Sequence, residues 1–316
     1  MRRAVPAARE RAEPPRPAAA PTPAAEVLRL QRMAGNRATT WLLRKGRTTA
    51  EFAHTRPKTK GNKPGGWFRK RPREAEEQKK QKGLDRPKFK TEWLIKEAGG
   101  YGGGEGDVKS IDAVKEVFAS NLFAELAGSQ YSGKARLIKG GKVTGLNSLY
   151  PPTRWVGSKA VPGFKSWADV KESGEYPEFE RAVPGLARTL FVGLFLGEGD
   201  WNNDNWGFGP GAKGTEIRRV DITGFDFGAS VAVANLLTPK GLLDAARWLP
   251  FTPEHVDEAE LEAVIREVVE TGPAAIKRVG EPLRPEFEEL DAGELYESYV
   301  AQLLERHKDL CSLVAK

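Results

Sequence analysis

Charge divides this chain before any motif does. Residues 1–90 carry 25 Lys and Arg against 8 Asp and Glu, a balance of +17, whereas residues 91–316 carry 25 against 35, a balance of −10. The first stretch is rich in Pro, Ala, Lys and Gly and poor in periodic apolar positions, so it buries too little surface to offset the entropy of ordering it. Residues 1–88 are therefore expected to be a disordered basic arm with a short helical motif at 25–45. The folded domain is expected at 89–316. The overall +7 is a sum of opposites and does not describe one basic surface. Eight Trp and fourteen Phe supply enough apolar volume for a core. A single Cys, Cys311, excludes an internal disulfide framework and a Cys-rich zinc site. Three scattered His (His54, His255, His307) argue against a His-based metal site. No apolar run reaches the roughly 18 residues of a membrane span. Pro, Ala and charges follow Met1-Arg2-Arg3 in place of an apolar h-region, which argues against Sec secretion. The expected compartment is a reducing cytoplasm.

Within the arm, Val27, Leu30 and Met33 recur at helical spacing before the stop signal Gly35-Asn36. Glu74–Lys82 is the other helix-like stretch. A segment of +17 also raises nucleic-acid binding through phosphate contacts. Its aromatics are sparse, however, which argues against a base-stacking platform.

The globule opens with a strand reading, Phe89 to Lys96, centred on Trp93, Leu94 and Ile95. Residues 98–106 are Gly-rich but lack the Gly-Lys-Ser/Thr ending of a P-loop, so they read as a connection. Ser110 or Asp112 is positioned to cap a helix whose apolar face is Val114, Val117, Phe118, Leu122, Phe123 and Leu126, ending at Gly128. Strand-like runs follow near Ala135–Ile138 and Val143–Tyr150. A strongly apolar helix is expected over 178–197.

After it comes Gly199-Asp200-Trp201-Asn202-Asn203-Asp204-Asn205-Trp206-Gly207-Phe208. Then follow a Gly-rich turn, a strand run at Glu216–Ile222, and Gly224-Phe225-Asp226-Phe227-Gly228. Asp and Asn favour turns in any protein. An Asp and an Asn five apart, a hairpin and a second Asp are also the parts that phosphoryl transfer from ATP requires. One acid sits near the acceptor hydroxyl, and an amide oxygen and a second acid hold the metal.

In these residues the chain resembles the atypical kinases of the phosphatidylinositol 3-/4-kinase-like superfamily, above all type II phosphatidylinositol 4-kinases and their bacterial effector relatives. Asn203-Asp204-Asn205-Trp206 and Phe225-Asp226-Phe227-Gly228 carry the resemblance. It implies an α+β, two-lobed kinase-like fold, with a small β-rich N-lobe (about 89–160) and a mostly helical C-lobe (about 161–316). It implies ATP and Mg2+ as cofactors, Asp200 as catalytic aspartate, and Asn205 and Asp226 as metal ligands. Asp221, at a strand end, competes with Asp226. Lys96 would meet the ATP phosphates and Glu116 would pair with it. Two departures stand out: Trp201 follows Asp200 where a basic residue is common, and no recognisable Gly-rich loop precedes Lys96. The run Val27 to Asn36 is similar to a short sequence in cargo of extracellular contractile injection systems, which implies a toxin or effector packed or delivered through its arm.

Residues 229–250 are largely apolar and read as packed C-lobe structure or a surface for a membrane or partner helix. Pro253 after Thr252 reads as a helix start, with Val256, Leu261, Val264, Ile265, Val268 and Val269 on one face before Gly272. A last helix is expected at about Ala292–Val314. The expected function is an ATP- and Mg-dependent kinase acting on a lipid or protein hydroxyl. The alternatives are an inactive kinase-fold module that binds nucleotide or a partner, and a nucleic-acid-binding protein acting through the arm.

Overall fold

The computed structural model of the chain describes residues 47–48, 52–57, 65–70, 92–98 and 106–315, apart from 133–134, 162, 178, 180, 212–213, and all of 141–151 and 220–230 except Val143, Leu146, Phe225 and Phe227. The helical motif expected at 25–45, the helix-like stretch Glu74–Lys82, Asp221 and Asp226 lie outside the described residues. Six strands form one sheet in the order β1-β5-β6-β4-β3-β2: β1 (Arg47–Thr48), β2 (Phe52–Pro57), β3 (Gly65–Lys70), β4 (Glu92–Lys96), β5 (Ala135–Lys139) and β6 (Arg154–Lys159). All neighbours are antiparallel except β1 with β5.

This sheet corrects the expected arm. Strands at 52–57 and 65–70 lie inside residues 1–88, yet they pair with each other and with β4, placing Trp67 opposite Leu94 and Phe68 opposite Trp93. Their basic residues hide a small set of apolar ones. Phe52 and Phe68 are buried with Trp93, Ile95, Ile138 and Trp155 in one cluster, and the Phe52 ring meets Trp93 edge-on at 5.7 Å.

Helix α1 (Gly106–Ala127) follows β4 and covers the sheet. Its expected apolar face, Val114, Val117, Phe118, Leu122, Phe123 and Leu126, is buried. The helix starts upstream of both expected caps. Ser110 is instead buried within it, and its hydroxyl accepts the Thr153 N–H at 2.9 Å. The expected strand at Val143–Tyr150 is described only at Val143 and Leu146, where the Leu146 N–H turns back to the Val143 carbonyl.

After β6 the chain leaves this sheet. A second sheet has the order β7-β8-β9, with β7 (Lys165–Ser166), β8 (Trp206–Gly211) and β9 (Gly214–Arg219). Helix α2 (Trp167–Ser173) is opened by a capping box in which Ser166 and Asp169 satisfy each other's backbone N–H groups. Helix α3 is shorter than its apolar run suggested. It spans Leu186–Phe195, begins after Gly185 at φ 79°, and buries nine of its ten residues. A helix apolar all round belongs inside the fold. Helices α4 (Pro239–Ala245), α5 (Glu258–Gly280), α6 (Arg284–Glu288) and α7 (Gly293–Val314) complete the chain. Pro253 opens only a 3₁₀ turn, and Asp257 caps α5, its carboxylate oxygen accepting from the N–H groups of Ala259 and Glu260. That helix runs through Gly272 to Gly280. In 231–250, Val233, Leu236 and Leu242 are buried while Trp248 is exposed. The architecture is thus α+β, a β-rich part followed by a mostly helical one, consistent with a two-lobed kinase-like fold.

Candidate active site

Lys96 closes β4, the strand flanked on both sides by β3 and β6, with Gly65 and Val156 as its cross-strand partners. Its Nζ lies 2.8 Å from Glu116 Oε1, and the two side chains are 3% and 1% exposed. Glu116 sits mid-helix in α1, between the buried Val114 and Val117. The next residue along the strand, Glu97, makes a second connection to the same helix, accepting from Lys109 Nζ at 3.0 Å. Two successive residues of one strand end therefore engage α1 two turns apart.

Burying such a pair rarely raises stability. Desolvating both charges offsets most of their attraction, and apolar side chains of similar volume usually do as well or better. A buried lysine and glutamate at the end of an interior strand make a candidate for use in chemistry.

The Asp/Asn line is equally well ordered. Gly197, at φ 78°, ends α3. Glu198 is buried and its Oε1 accepts the Asp200 N–H at 2.7 Å, while its carbonyl accepts the Trp201 indole N–H at 3.1 Å. Trp201 lies against Gly193 of α3, where an added Cβ would come within 3.0 Å of the indole. The Trp201 that departs from the kinase pattern thus anchors the loop from beneath. Asp200 itself is exposed. Asn205 is buried, and its Nδ2 donates to Asp200 Oδ2 at 2.9 Å and to the Asp200 carbonyl at 3.3 Å. Asn202 Nδ2 donates to Asp200 Oδ1 at 2.9 Å. The Asn203 carbonyl accepts the Ala168 N–H at 3.0 Å, which ties the loop to α2. Behind it, Trp206 stacks on Trp167 at 5.1 Å, and a cavity of about 450 Å³ opens beyond, lined by Trp167, Tyr176, Phe179, Phe208 and Phe251 among others.

The Phe225–Gly228 segment is described at its two Phe residues. Phe225 is buried, meets Phe118 of α1 edge-on at 5.0 Å and packs on Tyr299 of α7 at 5.3 Å. Phe225 is therefore docked against the helix that carries Glu116. Among the sequence-selected residues, the structure joins Lys96 to Glu116 and Asp200 to Asn205. Asp221 and Asp226 lie outside the described residues.

The donor chemistry suits a hard cation. With Nδ2 committed to Asp200, the Asn205 amide leaves its Oδ1 for a cation, an oxygen donor of the kind Mg2+ takes. Among the described residues no three His, Cys, Asp or Glu side chains converge as a metal cluster. Sequence reasoning passed over Glu198 and Arg306. Arg306 of α7 donates to the carbonyls of Phe195, Leu194 and Val231. An acid two residues before Asp200 was a visible signal, whereas a contact spanning 111 residues leaves none.

No family model and no curated protein matches the chain. Among solved structures it is similar to the crystal structure of a Helicobacter pylori proinflammatory kinase, CtkA, with a TM-score of 0.40 and 11% identity over 85% of this chain and 99% of that one. Likeness of that degree decides nothing about chemistry, which rests on the side chains above.

Proposed function

We propose that the chain is an ATP- and Mg-dependent phosphotransferase of the phosphatidylinositol 3-/4-kinase-like kind, acting on a lipid or protein hydroxyl. The observation that carries this reading is the buried Lys96–Glu116 pair in a chain that also holds Asn205 against Asp200. In this reading Glu116 fixes the Lys96 ammonium, and Lys96 donates to the phosphate oxygens. Asp200, oriented by Asn202 and Asn205, accepts the proton of the acceptor hydroxyl. Asn205 Oδ1 and Asp226, or Asp221 in its place, hold the cation. When bound, Mg2+ neutralises charge on the phosphates as the loose phosphoryl group moves. Trp201 and Glu198 keep the loop in place before substrate arrives, which is where preorganisation is most effective.

We further read the chain as a delivered effector or toxin, with residues 25–45 as the segment that engages an injection system. The test is transfer of label from γ-labelled ATP, with Mg2+, to a host lysate and to phosphoinositide vesicles. Wild type should label an acceptor and Asp200→Ala should not; equal labelling by both would remove Asp200 from the chemistry. Deleting residues 1–44 leaves the strands in place and should leave transfer intact. If nucleic-acid binding through the basic stretch is the activity, binding should weaken in this deletion, which removes 9 of the 25 Lys and Arg of residues 1–90.

A further inference from the structure

We propose that Arg306 is a positioning residue that fixes the end of α3, from which the Asp200–Asn205 loop departs, against Val231. Arg306 projects from α7. Its Nε donates to the Phe195 carbonyl at 2.9 Å and its Nη2 to the Leu194 carbonyl at 3.1 Å. Nη1 and Nη2 both donate to the Val231 carbonyl at 3.2 Å. The guanidinium carbon lies 5.9 Å from the centre of the Phe195 ring. Leu194 and Phe195 are the last residues of α3, where helix carbonyls carry the negative end of the macrodipole and a cation is favoured. Phe195 stands five residues before Asp200, and Val231 stands five residues after Asp226. One rigid fork therefore joins the end of the helix that leads into the Asp200–Asn205 loop to the chain at Val231.

The chemistry requires arginine. Three carbonyls on two separate segments call for several donors in a fixed plane, whereas a lysine ammonium is a point charge at the end of a flexible stem. Burial lowers the Arg306 pKa against the opposing pull of Asp309, in keeping with a guanidinium partly withdrawn from water at these contacts. Residues that orient metal ligands without touching the metal typically change metal affinity by about 10–100-fold when mutated. The functional consequence rests on the phosphotransferase reading; the link between the two segments does not.

The test compares full-length wild type with Arg306→Lys, and with Arg306→Ala if that variant folds. Hydrogen exchange followed by mass spectrometry should show amides of 197–205 and 231–237 exchanging about tenfold faster or more in Arg306→Lys, with α5 unchanged. Titration of Mg2+ at fixed ATP should show an apparent metal requirement raised about tenfold or more. Binding of metal-free ATP should change by less than about twofold, because Lys96 and Glu116 lie on other elements. Unchanged exchange in both segments, or uniform acceleration throughout the protein, overturns the proposal. If wild type binds no Mg–ATP, the phosphotransferase reading fails, and the exchange pattern alone decides the role of Arg306.

Discussion

Replacing Lys96 and Glu116 separately and together separates what the pair does for the fold from what it does for chemistry. Glu116→Leu leaves the Lys96 ammonium, 3% exposed, without its carboxylate partner. Removing one partner of a buried pair costs about 3–5 kcal/mol. Domains of ordinary stability have about 5–15 kcal/mol in total, so the loss is large. For a domain of this size it corresponds to a fall in Tm of roughly 10 °C. Lys96→Met should cost a similar amount for the mirror reason, since it leaves the Glu116 carboxylate buried. The double variant removes both charges and keeps apolar volume, so its stability should return to that of wild type or exceed it by about 1–4 kcal/mol. Urea unfolding followed by Trp fluorescence measures all four proteins, and the coupling energy of the cycle should exceed about 3 kcal/mol. Phosphate transfer should be lost in all three variants, the stable double variant included. A double variant as unstable as the singles would show that the pair is there for the fold. A double variant that transfers phosphate at the wild-type rate would refute the assigned role of Lys96.

Asn205→Ala removes both the amide that orients Asp200 and the oxygen offered to the cation, so the Mg2+ needed for half-maximal transfer should rise by about 10–100-fold. Trp201→Phe loses the N–H donated to Glu198 while keeping most of the ring. Transfer should fall with a stability loss near 1 kcal/mol, typical of a single hydrogen bond, measured by thermal unfolding. Gly207→Ala places a Cβ onto the Lys165 carbonyl across the β7–β8 ladder, so the second sheet should be disrupted and Tm should drop. Burial raises the Glu260 carboxyl pKa, Asp257 reinforces the shift, and Arg188 opposes it. The native state therefore keeps this proton to higher pH than the unfolded chain does, and stability falls as pH climbs from the ordinary carboxylate range through the raised one. Glu260→Gln should flatten that part of the pH profile, as read from unfolding midpoints between about pH 4 and 7.

What the sequence disclosed follows the range over which each signal acts. The face of α1 repeats every three to four residues, and all six positions chosen from that period are buried. The Asp200–Trp206 line is a local motif, and it folds as a local network in which Asn205 and Asn202 reach back to Asp200. The β2–β3 hairpin escaped because its strands pair with β4 across a segment dominated by Lys, Arg and Pro. Phe52, Trp67 and Phe68 are too few to give an alternating pattern, and the burial of Phe52 and Phe68 becomes visible only beside Trp93. The run at 178–197 looked longer as a helix than it is, since apolar residues around Gly185 and Gly197 are buried irrespective of helix geometry. Pro253 is a valid start signal, but it starts a single turn, and the charged cap at Asp257 begins the long helix. Arg306 was illegible for a different reason. Its partners are backbone carbonyls, which carry no residue identity.

The two attachments of β4 to α1 have a mechanical meaning. Lys109 and Glu116 are seven residues apart, nearly two full turns, so they lie on nearly the same line along the helix about 10 Å from each other. A rod held at one point can still pivot and roll about its axis. Held at two points along one side, it can do neither without releasing both. Displacing the helix by one residue would rotate that line by about 100° and carry both partners away from the strand together. On its far side the same helix lies under α5, where a Cβ on Gly280 would come within 2.9 Å of the Phe118 ring, and Glu125 pairs with Arg278. Control exerted through the orientation of α1 would therefore have to release both ion pairs together.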